Sequence, residues 1–125
     1  MQNPIVDKIM KEGIKSVNLS MLPENSRKII LQDVGEKLLK EGKYMESSEV
    51  LSLAGDFTKL NEIGDSMSSE GRTETAALFY LKGKDKDKLN SIAAKLVASR
   101  SYKLASQAYE ASGNMQMAEF LKSNF

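Results

Sequence analysis

The chain has no cysteine and no histidine. The first absence excludes disulfides and thiol chemistry. The two together exclude zinc sites built from those residues. Without histidine, the commonest general base near neutral pH is missing too. No apolar run approaches the roughly 20 residues that a membrane span requires. Nor is there a surplus of one charge: 18 Lys and Arg stand against 17 Asp and Glu, a formal net charge of +1. Nucleic-acid binders usually carry a strong basic surplus, so RNA binding conflicts with this balance. There is no Gly-rich phosphate loop, no G-x-S-x-G elbow and no two-histidine helix. Asp85-Lys86-Asp87 lacks the glycine and the closing glutamate of a calcium loop and reads as a helix cap. Carboxylate pairs such as Glu62 with Asp65 fall on charged helix faces, where they are solvated. The expectation is therefore no enzyme, no cofactor and no metal.

What remains is sufficient for a core. Of 125 residues, 41% are hydrophobic and 28% charged, ordinary for one soluble domain. The opening MQNPIVDKIMKEG mixes acidic and basic residues too early for a signal peptide, so a cytoplasmic location is expected. The sequon Asn18-Leu19-Ser20 then carries no weight.

The strongest signal is a period of 29 residues. Leu60–Gly71, LNEIGDSMSSEG, lies without a gap over Leu31–Gly42, LQDVGEKLLKEG, and over Leu89–Arg100, LNSIAAKLVASR. Read down, Leu31, Leu60 and Leu89 form one column, and Val34, Ile63 and Ile92 a second. Gly35, Gly64 and Ala93 form a third, Leu38, Met67 and Leu96 a fourth. The spacing i, i+3, i+4, i+7 is one face of a helix. Its third column is always small, as a close helix crossing demands. After Gly42, Gly71 and Arg100 a second helix is expected, with columns Tyr44, Thr73, Tyr102; Ser47, Ala76, Ala105; Leu51, Tyr80, Tyr109; and Ala54, Gly83, Ser112. Gly55 and Gly113 are read as helix stops, with Gly83 stopping the middle helix one residue early. Asp56, Asp85 and Asn114 fall in one column of N-cap residues.

Towards the N-terminus, Asn3-Pro4 starts a helix carrying Ile5, Val6, Ile9 and Met10. It ends at Gly13 or runs on through Ile14 and Val17. Ile5 falls under Val34 and Ile9 under Leu38, so this segment reads as a degenerate repeat. Its lysines, Lys8, Lys11 and Lys15, fit a membrane-surface or groove-binding helix. Asp7 and Glu12 dilute them, and packing on the next repeat is the expectation. Leu19–Ser26 is the least regular stretch. The last helix, from Asn114, matches another first helix and is expected to cap the stack, with Met115, Met117 and Phe120 adding apolar surface. The division is one domain, 1–125: a degenerate repeat 1–27, repeats 28–56, 57–85 and 86–114, and a cap 115–125.

These columns resemble the tetratricopeptide repeat, a helix–turn–helix unit of about 34 residues. The middle repeat matches it at Leu60, Ile63, Gly64, Met67, Gly71, Thr73, Ala76, Tyr80 and Gly83, and its neighbours match in register. The period is shorter and the family's closing proline is missing, which brings the hairpins closer to clathrin- and coatomer-type solenoids. The resemblance implies an all-α, right-handed solenoid of stacked antiparallel hairpins. It also implies a concave groove lined by the residue after each leading leucine, Gln32, Asn61 and Asn90, and by the position four later, Glu36 and Asp65. Asp87 joins these as a candidate. Carboxamides both donate and accept, which suits the backbone of an extended peptide. The acidic neighbours favour a basic ligand. The expected function is a non-enzymatic module that binds a protein or peptide in this groove. The alternative is a structural subunit that self-associates, as a homo-oligomer, or docks on a scaffold through its ends or convex face. Seven Met and the apolar last helix allow the second.

Overall fold

The computed structural model describes residues 3–125; Met1 and Gln2, which open the degenerate repeat and the N-terminal stretch read for a signal peptide, lie outside them. Among the described residues there are eight α-helices, two short 3-10 turns and no strand. The chain is all-α, and none of its described helices is long and apolar enough to cross a membrane. It divides into two compact units, Met1–Asp56 and Phe57–Phe125.

The first unit holds α1 (Pro4–Glu12), α2 (Glu24–Lys40) and α3 (Tyr44–Leu53). Asn3 caps α1, its Oδ1 accepting from the Ile5 N–H at 2.9 Å, and Pro4 takes the first turn, where no N–H is needed. Of the two ends left open by the sequence, Gly13 is the real one, at φ +100°. Beyond Gly13 the chain forms two 3-10 turns, Ile14–Ser16 and Leu19–Met21, in place of a second helix. Asn18 bends the chain there by accepting from the Ser20 N–H at 3.2 Å, the local bond that lets Asn compete with helix. Leu19 is still buried with Val6, Ile9, Leu31, Val34 and Val50.

The second unit holds α4 (Phe57–Ser69), α5 (Thr73–Gly83), α6 (Lys86–Ala98), α7 (Tyr102–Ser112) and α8 (Met115–Asn124). Each helix packs on the next, and α7 also reaches α5. The core runs through Ala77, Tyr80, Ile92, Leu96, Tyr109 and Leu121.

The 29-residue period is visible in the backbone. Gly42, Gly71 and Arg100 all adopt left-handed φ, at +76°, +78° and +65°. After each, one N–H returns to the carbonyl five residues earlier: Lys43 to Leu38 at 3.0 Å, Arg72 to Met67 at 2.9 Å, Ser101 to Leu96 at 2.8 Å. This is the Schellman closure of a helix end, made three times. Asp85 and Asn114 cap as expected, accepting from the Lys88 and Met117 N–H groups at 3.1 and 3.2 Å.

Small residues in the third column are required by what faces them. A Cβ on Gly35 would stand 2.6 Å from Leu51 Cγ, and one on Gly64 2.5 Å from Tyr80 Cε1. Gly83 needs a correction: it does not stop its helix. It ends α5 in helical geometry, and Lys84 takes the left-handed turn at φ +61°, in register with Gly55 and Gly113. Gly83 is glycine for packing, because a Cβ there would collide with the Asn61 amide.

Candidate functional site

The column expected to line a groove is tied back into the fold. Gln32 Nε2 donates to Asp56 Oδ2 at 2.9 Å. Asn61 Nδ2 donates to the Gly83 carbonyl at 3.3 Å, while its Oδ1 is buried without a hydrogen-bond partner. Asn90 Oδ1 accepts from Asn114 Nδ2 at 3.2 Å. Each carboxamide thus reaches the junction that closes its own hairpin, at the end of the second helix or at the following cap. The donor-and-acceptor character that suits a peptide backbone is used here on the protein itself.

Asp65 is likewise engaged. Tyr80 Oη donates to its Oδ1 at 2.6 Å, and Lys88 Nζ reaches both carboxylate oxygens at 2.9 Å. The Tyr80 hydrogen bond first, then Lys88, holds the Asp65 carboxyl below its usual range. Burial, reinforced by the Asp65 charge, pushes the Tyr80 phenol up. The bond to Asp65 also raises the Lys88 ammonium. With its charge matched by Lys88, Asp65 offers no unmatched negative charge to a basic ligand. Glu36 is exposed on α2, and Asp87 is exposed in the first turn of α6.

Of the six candidates, Asp65 lines a concavity. A furrow of about 190 Å³ runs between α4 and α6. Tyr80 and Ile92 lie at its base, with Asp65, Ser68, Lys88, Ser91 and Lys95 around it. Lys95 Nζ donates to Ser68 Oγ at 3.1 Å across it. Gln32 and Glu36 belong to the first unit. Asn61, Asn90 and Asp87 stand outside the furrow.

No family model, curated protein or solved structure matches this chain. Its function must be read from its surfaces.

The larger concavity was not singled out from the sequence. A groove of about 420 Å³ lies between α7 and the end of α8. Tyr102, Ser106, Leu121 and Phe125 form its walls and floor; Lys103, Gln107 and Lys122 stand at its rim. Phe125 stacks on Tyr102, ring centroids 3.9 Å apart and planes 15° from parallel. Phe125 is nevertheless 66% exposed, and Met115 and Phe120 about half exposed. So α8 packs on α7 as expected, yet it leaves apolar surface open. Isolated exposed apolar residues mean little; an exposed aromatic in the wall of an apolar groove, with two more exposed apolar residues on α8, marks an interaction surface. The signal for this groove was present in the sequence as a break in pattern: Lys103 stands where the preceding repeat has Glu74, and Lys122 where it has Ala93.

Proposed function

We propose that this chain is a non-catalytic, protein-binding helical repeat, a right-handed α-solenoid of the cytoplasm, and that its binding surface is the α7–α8 groove. The solenoid reading is supported by the threefold Schellman turns and the glycine-on-large-residue contacts that recur with the period. The binding reading is carried by one observation. A concavity of about 420 Å³ is lined mainly by apolar surface, with exposed Phe125 in its wall and exposed Phe120 on the helix that forms one side. Desolvated apolar anchors supply most of the energy at protein interfaces.

A second reading keeps the first-helix groove. The furrow between α4 and α6 supports it, because the Ser91 hydroxyl and the Lys95 ammonium stand beside its apolar base. Pull-down from cell extract separates the two. A Phe120→Ser/Phe125→Ser variant is expected to lose the partner that wild type retains. Ser91→Trp, which fills the furrow, is expected to keep it. The reverse pattern moves the site to the furrow, and equal retention by both variants removes the groove from consideration.

A further inference from the structure

The α7–α8 groove has a counterpart one period earlier that is already filled. Moving back 29 residues takes Ser106 to Ala77, Leu121 to Ile92, Lys122 to Ala93 and Phe125 to Leu96. These four counterparts are fully buried or nearly so, and they share one core with Ala105, Ala108 and Tyr109 of α7. Helix α7 packs on both α5 and α6, which carry them. The earlier seat therefore holds a helix. Its contacting face presents two alanines and a tyrosine at helical spacing.

At the later seat the same helix pair, α7 with α8, presents an open groove in place of that core. From this repetition we infer that the α7–α8 groove receives an amphipathic α-helix of a partner protein, packed as α7 packs on α5 and α6. The inference rests on the binding surface proposed above and names its occupant.

Two exchanges specify that helix further. In the filled seat Glu74 accepts from Ser101 Oγ at 2.9 Å, at the N-cap of α7. In the open seat that position is Lys103, which is exposed at the rim. A cation there attracts an acidic residue at the start of the incoming helix, which the helix dipole also favours. At the other exchange, Lys122 replaces Ala93 and leans away to Glu110 at 2.9 Å. Its stem lines the groove where the earlier seat has only a methyl group, so small residues are favoured along the incoming face. The partner helix thus has an acidic N-cap and a face of small apolar residues. This is chemistry for helix-in-groove recognition, not for an extended peptide.

The test uses a synthetic peptide copying Arg100–Asn114, capped and hydrocarbon-stapled so that it is helical despite its length. It carries Ser101→Asp to supply the acidic cap and Tyr109→Ala to give the small-residue face, and it is titrated into the full chain by NMR. Saturable binding with Kd below about 1 mM is expected. Shifts should centre on Gln107, Leu121 and Phe125. A scrambled peptide of the same composition should not bind. Phe125→Asp should weaken binding about tenfold or more, with the fold checked by thermal melting. Gln107→Lys, on an exposed helix position, should weaken it without touching the core. Lys103→Glu should reverse the preference for Asp over Ser at the peptide's cap, an effect of about two- to five-fold.

Absence of saturable binding overturns the helix assignment, as does a partner that Phe125→Asp releases but the peptide cannot displace. In that second outcome the groove stands as the binding surface. Shifts that centre on Asp65, Ser91 and Lys95 overturn both readings. A mass that rises with protein concentration, with the same residues perturbed in the absence of peptide, makes a second copy of the chain the occupant and overturns the proposal of a partner.

Discussion

Leu51 in the α2/α3 hairpin and Tyr80 in the α4/α5 hairpin hold the same repeat position, each pressed on a glycine of the preceding helix. Leu51 stops at its methyls. Tyr80 extends past Gly64, and its hydroxyl finds Asp65 and, through it, Lys88. The first hairpin makes its polar tie elsewhere: Ser47 Oγ donates to the Gly35 carbonyl at 2.7 Å, where the second has Ala76. Its neighbouring core position also differs, Val50 against Phe79, both buried. The repeat therefore keeps a geometric rule, a tiny residue under a large one, and leaves the polar cross-link free to change.

Four tests break or sharpen this comparison. The largest effect is expected from Phe79→Ala, because Phe79 is fully buried: about 3–5 kcal/mol in urea unfolding. Val50→Ala should cost less, about 1.5–3 kcal/mol, since less apolar volume is removed. Equal losses would mean that the two positions are not equivalent in packing.

Next comes Gly64→Ala, expected to cost about 1–3 kcal/mol through overpacking, net of the roughly 1 kcal/mol that alanine gains over glycine in a helix. Gly35→Ala should cost less. Leu51 has no polar anchor and can shift as a whole about its Cα–Cβ bond, whereas the Tyr80 ring is pinned by its bond to Asp65. If Gly35→Ala proves the worse of the two, that bond is not what holds the ring.

Tyr80→Phe converts the second hairpin to the chemistry of the first. The expected loss is about 0.5–1.5 kcal/mol for one hydrogen bond. It has a pH signature. The folded Asp65 carboxyl lies below its unfolded value, so its contribution is present above about pH 4 and is lost as pH falls through the folded pKa. Removing the phenol should shrink that acid-side loss, measured as unfolding midpoint against pH. The effect is small, because Asp65 is about half exposed and water screens it. An unchanged acid limb would show that the Tyr80–Asp65 bond adds nothing in solution.

The smallest effect, and the only gain, is expected from Arg100→Gly. Arg100 carries φ +65° at the turn where the two earlier repeats have Gly42 and Gly71. Glycine relieves that strain at the cost of a freer unfolded chain, for a net stabilisation of about 0.5–1 kcal/mol. Loss of stability would indicate that the arginine side chain contributes more than its backbone costs.

The helices, their turns and the small column were legible in the sequence because they repeat, and repetition turns weak local preferences into a strong signal. Gly83 was misread because an isolated glycine near a helix end looks like a stop. Its actual reason is the Asn61 amide, 22 residues away. The same distance obscured the carboxamide column. Gln32, Asn61 and Asn90 look solvent-facing along their own helices, and their partners lie 22 to 24 residues on. The missing companion helix of α1 was foreshadowed only by irregular composition around Asn18 and Pro23, which marks a break without saying what replaces it. The α7–α8 groove escaped because a concavity is made of departures from the pattern, and the columns were read for agreement.

The polar ties between helices also bear on how the chain comes to be folded. Those formed by Ser47, Asn61, Asp65 and Ser106 join residues 12 to 23 apart. Little loop-closure entropy has to be overcome before such contacts form, and low contact order goes with folding in microseconds to milliseconds. Refolding after dilution from urea should then be fast. During synthesis, the α2/α3 and α4/α5 hairpins can each complete a clasp of their own while the next helix is still being made.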